Sequence, residues 1–295
     1  MTADCAVAVV GAGNMGGAMV ARLCHLNWSV AVHDCHPVAH AQAVARGAMS
    51  CDSAAQATQR LVADGVLLVA VVNAEQTETV LWGAGGAASH LKPGHTVMLC
   101  PTLGPDTVHA QAQRLSALGV DCMDAPMSGG PARAEAGTMS LMVACPADVR
   151  QRHEALLKAL SQQVFWVGPR PGDGARTKLV NNLLAAVNLA GAVEAMALAE
   201  RWGLNSAITL DVIEASSGQS WIGSDRMRRA LAEDWVPRAH VSLLAKDTHL
   251  AVASAEAAGF DAALGRLARD VFAQALVQGF SDLDDAALLQ WMRQH

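Results

Sequence analysis

Apolar and polar residues follow different patterns in the two halves of the chain. In the first half, short continuous apolar runs, beginning with CAVAVV (5–10) and WSVAVHD (28–34), alternate with longer segments of helical periodicity. Further apolar runs are DGVLLVAVV, HTVMLC and VDCMDAP. Runs of this length are typical of strands in a parallel sheet that is covered by helices on both faces. The first half therefore predicts a doubly wound α/β domain.

After about residue 166 the pattern changes to long helical segments. The predicted helices are 175–203, 207–216, 240–258, 262–278 and 284–293. Short breaks that contain Gly, Ser, Asn or Pro separate these segments. We predict an α/β domain over residues 1–166 and an all-helical domain over 167–295, which begins with a long connecting helix at about 175–203.

Composition and charge exclude several classes of protein. A hydrophobic fraction of 52% with 16% charged residues indicates a globular chain rather than a disordered one. A net charge of −6 provides no basic surface for nucleic acid or for an anionic membrane, so we expect neither partner. The first apolar run has no basic segment before it and ends in glycines after six residues, which predicts a strand rather than a signal peptide or a membrane span.

The seven cysteines indicate a reducing compartment. They all lie in the first half of the chain, and no two of them form a CxxC pair. An odd number of cysteines without a regular spacing predicts free thiols in the cytoplasm.

The segment GAGNMG follows the first predicted strand and precedes a helix. Gly11 permits a tight turn, Gly13 lets a pyrophosphate approach the backbone, and Gly16 lets the helix pack on the strand. Asn14 and Met15 lie at the helix N-terminus, where phosphate charge is favourable. The pattern predicts a Rossmann-type dinucleotide-binding site. A tight turn that holds no ligand is the alternative.

Asp34 ends the second apolar run, eighteen residues after Gly16, where an acid is expected to hydrogen-bond the ribose hydroxyl groups. A carboxylate there would repel a 2′-phosphate, and neither Cys35 nor His36 is an arginine that would attract one. The sequence therefore favours NAD over NADP as the cofactor.

The same segment, HDCHPVAH, has a competing interpretation as a metal site. It contains five side chains of ligand type: His33, Asp34, Cys35, His36 and His40. However, His33 and Asp34 point to opposite faces of a strand, and no second cluster completes a tetrahedral set. We predict no metal site and an adenosine-side role for this segment.

Lys178 stands out because the chain has few lysines. They are Lys92, Lys158, Lys178 and Lys246, whereas arginine supplies the other seventeen of the 21 basic residues. Lys178 lies near the start of an otherwise apolar helical segment, where a buried ammonium group is costly unless it is paired. Desolvation lowers the pKa of a lysine, which suits lysine to proton transfer. The alternative is a side chain that extends into solvent from the first turn of the helix.

The segment DAPMSGGPARAEAG (124–137) follows another predicted strand. In it, Ser128, Gly129 and Gly130 provide a hydroxyl group and two unhindered backbone N–H groups, which suit a carboxylate ligand. An ordinary surface loop is the alternative interpretation.

Four segments together resemble the β-hydroxyacid dehydrogenase family: GAGNMGGAM, DAPMSGGPARAEAGTMSLMV, GDGARTKLVNN and LLAKDTHLA. They occur in the order and spacing of the family and span nearly the whole chain. The family contains 3-hydroxyisobutyrate dehydrogenases, tartronate semialdehyde reductases and L-threonate dehydrogenases.

The resemblance implies a role for each matching residue. Lys178 matches the catalytic lysine of the family, and Asn182 matches the asparagine that orients the substrate. Ser128, Gly129 and Gly130 match the loop that binds the substrate carboxylate.

Three further positions match residues near the cofactor. Lys246 matches a second lysine that reaches the cofactor and the substrate, with Asp247 beside it. Thr102 falls near the nicotinamide, but Pro101 stands where the family usually has a serine. That departure puts one polar contact to the cofactor in doubt.

The resemblance implies an NAD-dependent dehydrogenase of a small hydroxy acid. VVNAEQTETVLWG and GPARAEAGTMS are closer to the L-threonate branch than to the 3-hydroxyisobutyrate branch. Four residues are candidates for hydrogen bonds to extra substrate hydroxyl groups: Ser217, Gln219, Ser220 and Trp221. An interhelix turn with its own caps is the alternative for this segment.

Two other functions remain open, and the protein is expected to form an oligomer. One function is an NADPH-dependent reductase of short aldehyde acids such as glyoxylate, succinic semialdehyde or tartronate semialdehyde. The other is a non-enzymatic NAD-binding sensor module. We expect a homodimer or homotetramer, because the apolar helices outnumber what one small helical domain can cover.

Overall fold

The computed structural model describes residues 4–294. Residues 1–3 and 295, at the outer ends of the two predicted domains, lie outside the described residues. The chain divides into two compact units at the bond between Lys178 and Leu179, inside a long helix.

The first unit is built from alternating strands and helices. Its strands are β1 (Cys5–Val10), β2 (Val30–His33), β3 (Met49–Ser50), β4 (Leu61–Val69), β5 (Thr96–Leu99), β6 (Asp121–Asp124), β7 (Met127–Ser128), β8 (Ser140–Ala144) and β9 (Gln163–Gly168). Its helices are α1 (Asn14–His25), α2 (Pro37–Ala45), α3 (Ala54–Gln59), α4 (Ala74–Trp82), α5 (Pro105–Ser116), α6 (Gly130–Ala136), α7 (Ala147–Arg152) and α8 (Glu154–Leu160). A short 3-10 helix covers Ala87–His90.

The strands form one sheet in the order β3-β2-β1-β4-β5-β6-β8-β7. The first six strands in this order are parallel, which is the Rossmann arrangement. In β1, Val7 and Val9 face one hydrophobic core, whereas Ala8 and Val10 face the other. Since both faces of the sheet are buried, β1 is apolar at every position, and the predicted doubly wound domain is confirmed.

The far end of the sheet departs from the purely parallel prediction. The sequence pattern did not predict β7, β8 or β9; β8 runs antiparallel to β6 and β7, and β9 runs parallel to β8. The pairing of β6 with β8 is limited to Asp124 and Ala144. In this register Pro146 would lie opposite Cys122, two positions further on, and proline has no N–H group to donate.

The second unit is helical. The long helix α9 (Asp173–Arg201) begins in the first unit and continues into the second. It is followed by α10 (Ser206–Glu214), α11 (Trp221–Leu231), α12 (Val241–Ala257), α13 (Ala263–Val277), a 3-10 helix (Asp285–Ala287) and α14 (Leu288–Met292). Four of the five predicted helices agree to within about two residues at each end, whereas the predicted helix 284–293 is split into two short helices. The pattern missed α11.

Helix α9 supplies the centre of the helical core. Leu189, Val193 and Met196 are fully buried and pack in one cluster with Phe272 and Leu289. With 29 residues and a mean hydropathy of 1.5 over its most apolar window, α9 is long and apolar enough to cross a membrane, and 39% of that window is buried inside the protein. The burial of one side of α9 in this cluster accounts for its apolar composition, because a helix in a protein core has the same composition as a membrane span.

Candidate functional site

The glycine-rich turn after β1 has the geometry that a dinucleotide needs. Gly11 has φ +90°, and a Cβ atom on it would lie 2.7 Å from the backbone oxygen of Ala70. A Cβ atom on Gly16 would overlap the backbone oxygen of Gly11. By contrast, a Cβ atom on Gly13 would have no atom within 4 Å. The turn is therefore closed on its protein side and open where a pyrophosphate would approach.

Helix α1 begins directly after this turn. Gly13 is its N-cap, and no side chain caps the helix, so the N-terminus can meet an anionic group. Asn14 is exposed, and Met15 packs partly against the first core. A cavity of about 350 Å³ opens beside Gly13 and Asn14 and extends past His36 to Arg46. This volume lies in the range of small-ligand pockets.

Asp34 follows β2 and holds the glycine-rich turn. Its carboxylate accepts hydrogen bonds from the backbone N–H groups of Ala12 and His36, one on each oxygen. A carboxylate in this position is fixed beside the turn, as the sequence predicted for the group that binds the ribose.

The neighbouring histidines form hydrogen bonds within the same region. The Nδ1 atom of His33 lies 3.0 Å from the backbone oxygen of Cys51, and the Nε2 atom of His40 lies 2.8 Å from Oγ of Ser50. Among residues 4–294, no group of three or more His, Cys, Asp and Glu side chains is arranged to hold a metal ion.

The strand order places the site at the carboxyl edge of the sheet. The chain leaves β1 toward β2 on one side, while β4 pairs with β1 on the other, so the loops after β1 and β4 diverge and leave a crevice. Thr102 follows β5 at the same edge and is half-buried. The loop that begins at Ala70, after β4, was not named from the sequence, although it follows an apolar run that ends at the same edge.

The segment Ser128-Gly129-Gly130 is an edge strand followed by a turn. Ser128 ends β7 and pairs with Ser140, which leaves its side chain half-buried. Gly129 and Gly130 have φ angles of +127° and +76°, which favour glycine; Gly129 is the N-cap of α6, and Gly130 is its first residue, followed by Pro131. Their backbone N–H groups are therefore presented at a sharp turn, as a carboxylate ligand requires.

Asp124 is a site residue that the sequence interpretation did not single out. Its side chain is 1% exposed, and its Oδ2 atom accepts hydrogen bonds from the N–H groups of Gly172 (2.8 Å) and Ala175 (2.9 Å). Burial raises the pKa of this carboxyl group to about 6, although the backbone N–H groups oppose the shift. Asp124 thus connects the end of β6 to the start of α9. Its place at the start of DAPMSGGP, at the end of a predicted strand, was the available signal.

Lys178 and Asn182 lie one turn apart on α9, and both are 7% exposed. The side chain of Lys178 therefore does not extend into solvent, contrary to the alternative interpretation. Residues four apart share one face of a helix, so the amine and the amide project in similar directions.

In the second unit, Asp247 joins two other predicted residues. Its Oδ2 atom accepts a hydrogen bond of 2.6 Å from Nδ2 of Asn182, and its Oδ1 atom lies 2.7 Å from Nζ of Lys246. Asn181 donates from Nδ2 to Oδ1 of Asn182 at 3.0 Å, which fixes the orientation of the Asn182 amide. The sequence placed Asp247 only beside the cofactor, whereas the structure makes it the common partner of Asn182 and Lys246.

The segment at 217–221 is a turn between two helices. Ser220 is the N-cap of α11, and its Oγ atom accepts a hydrogen bond of 3.1 Å from the N–H group of Gly223. The alternative interpretation of a capped turn is therefore confirmed for Ser220. Downstream, Arg226 forms an ion pair with the buried Asp285 at 2.6 Å, which ties α11 to the 3-10 helix before α14.

A larger cavity, of about 600 Å³, contains none of the predicted site residues. It is lined mainly by α5, β6 and the segment before α9, with Arg170 and Arg176 at its rim. The residues singled out from the sequence lie instead at the glycine-rich turn, along α9 and at other positions outside this cavity.

Comparisons with known proteins agree with this arrangement. Residues 6–168 match the family model described as the NAD-binding domain of 6-phosphogluconate dehydrogenase. Residues 172–292 match the model described as the NAD-binding region of NADP-dependent 3-hydroxyisobutyrate dehydrogenase.

Individual proteins are similar over nearly their full length. The L-threonate dehydrogenase of Cupriavidus necator is 35% identical over 96% of this chain and 95% of its own length. The 3-hydroxyisobutyrate dehydrogenase of Pseudomonas aeruginosa is 32% identical over 90% of each chain. The crystal structure of 3-hydroxyisobutyrate dehydrogenase from Salmonella typhimurium is 33% identical, covers 97% of this chain and 99% of its own, and has a TM-score of 0.89.

Proposed function

Because the chain belongs to the NAD-dependent β-hydroxyacid dehydrogenase family, we propose that it oxidises a small hydroxy acid with Lys178 as the general acid/base. The observation that carries this proposal is the burial of Lys178 on α9, one helical turn before the buried Asn182. A buried lysine in a chain with only four lysines calls for a specific role.

The cofactor is NAD, and the first unit has groups that fit it. The turn of Gly11, Gly13 and Gly16 would hold the pyrophosphate, with Asp34 at the ribose and Thr102 toward the nicotinamide. From the second unit, we assign Lys246 and Asp247 to the cofactor and substrate region. When bound, NAD accepts the hydride from the carbinol carbon.

Lys178 takes the proton in this reaction. As the C–H bond of the carbinol breaks and its electron pair leaves with the hydride, the hydroxyl proton passes to the neutral Nζ atom, and a carbonyl forms. In the reverse direction the ammonium group returns the proton to the oxygen. Asn182, oriented by Asn181 and Asp247, keeps the substrate in register with the amine.

Ser128, Gly129 and Gly130 would bind the substrate carboxylate through a hydroxyl group and backbone N–H groups. The L-threonate dehydrogenase relative at 35% identity supports a polyhydroxylated acid such as L-threonate. Ser217, Gln219 and Trp221 remain candidates for the extra hydroxyl groups, whereas Ser220 serves as the cap of α11.

Two alternatives remain, and one of them has support of its own. The second family model is described as NADP-dependent, which supports an NADPH-dependent reductase of short aldehyde acids. A sensor module without turnover is the other alternative, and it predicts NAD binding without oxidation of any hydroxy acid.

An exposed apolar stripe supports a homodimer. Val180, Leu184, Leu198 and Trp202 of the α9 region are 45% to 71% exposed and follow helical spacing. A second copy of this chain that packs along the stripe would cover it, and we propose such a homodimer, with a homotetramer as the larger form. The seven free cysteines, which all lie in the described part of the chain, fit a reducing cytoplasm.

Replacement of Lys178 tests the proposed function. We expect Lys178→Ala to lower kcat on L-threonate about 10²- to 10⁴-fold, the usual size of general acid/base catalysis, while NAD binding changes little. Lys158→Ala, at an exposed lysine paired with Glu154, is the matched control.

Substrate screening should include L-threonate, 3-hydroxyisobutyrate, L-serine and, with NADPH, the aldehyde acids. Unchanged turnover in Lys178→Ala would remove the proton-transfer role, and the absence of oxidation with every acid would favour the sensor.

A further inference from the structure

The start of α9 is held by a single buried carboxylate. Both hydrogen bonds on Oδ2 of Asp124 come from backbone N–H groups at the beginning of this helix, those of Gly172 and Ala175. Since the first N–H groups of a helix have no partner within it, the carboxylate supplies the acceptor that they lack. A charged acceptor at a helix N-terminus is stronger than a neutral one and is further stabilised by the helix dipole.

The packing around this contact leaves no space for a side chain on Gly174. A Cβ atom on Gly174 would lie 2.8 Å from the backbone oxygen of Met142 and 2.9 Å from the carboxyl carbon of Asp124. Helix α9 therefore approaches β6 and β8 as closely as glycine permits, and Ala175 is 1% exposed in the core of the first unit.

The anchored residue and Lys178 are close neighbours on the helix. Ala175 precedes Lys178 by three positions, which places the two on adjacent positions of one face. No further break lies between the contact at Ala175 and Lys178, because α9 is continuous over these residues. A change in the first turn would therefore rotate or shift the lysine side chain.

We propose that Asp124 is the positioning residue for Lys178, because its carboxylate fixes the first turn of α9. The proposal rests on the catalytic role given to Lys178 above. Asp124 does not touch the reacting atoms in this scheme. It acts through the backbone of α9.

The charge of the Asp124 carboxyl group depends on pH in the range near neutrality, because its pKa is raised. Burial is the main cause that raises the pKa of Asp124, to about 6, and Asp173 on α9 raises it further. Cys100 after β5 and Cys122 on β6 also face the carboxylate, and burial raises the pKa of both thiols, so they remain neutral. Below about pH 6 the anchor therefore loses its charge, and its hold on the N–H groups of α9 weakens.

Asp124→Asn tests the positioning role, because asparagine keeps the size of the side chain but not its charge. Asp121→Asn is the matched control: Asp121 lies on the same strand, but its carboxylate pairs with Arg152 of α7 and not with the backbone of α9. We expect Asp124→Asn to lower kcat at least 10-fold at pH 7.5, with a KM for NAD within about twofold of the wild-type value. In the wild type, protonation of Asp124 should lower kcat between pH 7 and pH 5. Asp124→Asn has no carboxyl group to protonate at this position, so this part of the pH dependence should be absent from the variant.

A second readout does not depend on activity. With [ε-¹³C]lysine incorporated, the four lysines give few NMR signals, and the Lys178 signal can be assigned from its loss in Lys178→Ala. We expect the Lys178 signal to shift in Asp124→Asn and in Gly174→Ala, which disturbs the same contact from the helix side. The signal of the exposed Lys158 should stay in place in both variants, and Asp121→Asn should leave both signals unchanged.

The outcomes separate this inference from the proposed function. A fully active, pH-responsive Asp124→Asn with an unmoved Lys178 signal would overturn the positioning role, even if Lys178→Ala is inactive. A shifted Lys178 signal in a protein that oxidises no hydroxy acid would support the anchor and reject the proposed chemistry. If Asp124→Asn does not fold, an unmoved Lys178 signal in folded Gly174→Ala would overturn the proposal.

Discussion

Asn182 donates a hydrogen bond of 2.6 Å from its Nδ2 atom to Oδ2 of Asp247, across 65 residues of sequence. The other oxygen of Asp247 forms an ion pair with Lys246. Asn182 cannot rotate its amide without loss of this bond, and its Oδ1 atom is held by Asn181. The amide proposed to orient the substrate is thus oriented itself by α12.

We predict that Asp247→Asn lowers kcat/KM about 10- to 100-fold, because the amide of the new side chain offers one acceptor in place of two and repels the Lys246 ammonium group. Thermal stability should change little. Asp270→Asn, at an exposed acid paired with the neighbouring Arg269, is the control for loss of a carboxylate in the same unit. Steady-state kinetics measures kcat/KM of both variants. Equal values for Asp247→Asn and Asp270→Asn would refute the prediction.

Substitutions at two glycines of the turn should affect different properties: one should lower the stability of the protein, and the other should lower its affinity for NAD. We expect Gly16→Ala to destabilise the protein by about 1–3 kcal/mol, since its Cβ atom would overlap the oxygen of Gly11. Gly13→Ala should fold normally, because its Cβ atom meets open space, yet it should weaken NAD binding about 10-fold or more, since the methyl group occupies the path of the pyrophosphate. Thermal unfolding and NAD titration measure the two effects. Normal NAD affinity in Gly13→Ala would contradict the assigned cradle.

The choice between NAD and NADP should depend on Asp34. In Asp34→Asn the side chain can still accept one of the two backbone hydrogen bonds but no longer repels a 2′-phosphate. We expect the ratio of kcat/KM with NADP to kcat/KM with NAD to rise about 10-fold, which corresponds to about 1.4 kcal/mol. Asp52→Asn, at an exposed acid in the same unit, should leave the ratio unchanged. A wild-type protein that already prefers NADPH would contradict the role given to Asp34.

Asp124 also predicts how stability depends on pH. Burial raises the pKa of Asp124 to about 6 in the folded protein, above the ordinary value of 3.8, so between pH 4 and 6 the folded state binds more protons than the unfolded state. Stability from this group therefore increases as the pH falls through that window. Relative to Asp124→Asn, the wild type should gain about 2 kcal/mol of unfolding free energy between pH 7 and pH 4. Urea unfolding of both proteins at several pH values measures the difference in unfolding free energy between them. A difference that does not change with pH would show that the pKa of Asp124 is not raised.

The sequence predicted the parallel part of the sheet because strands that are buried on both faces give short, nearly continuous apolar runs. CAVAVV became β1 at the predicted residues, and GAGNMG became the turn that follows it. The end of the sheet was not predicted. β7 has only two residues, which is too short to give a pattern. β8 and β9 contain short apolar runs, but periodicity alone cannot distinguish such runs from buried helix segments.

Helix α11 was missed for a related reason. Its sequence WIGSDRMRRAL contains four charged side chains, and one of them, Arg226, is held by Asp285 from the far end of the chain. A charge that becomes buried by pairing over 59 residues cannot be distinguished from a solvated one in the sequence.

The sequence by itself determined which residues are proposed to carry the chemistry: the glycines of the turn, Lys178 with Asn182 on one helix face, and the segment at Ser128. These follow from local rules, because turns need glycine and residues four apart share a helix face. Only the tertiary structure decided what fixes them, namely Asp124 at the start of α9 and Asp247 beside Asn182. Each is a buried carboxylate whose partner lies dozens of residues away, and hydrogen bonds of that kind exist only once the chain is folded.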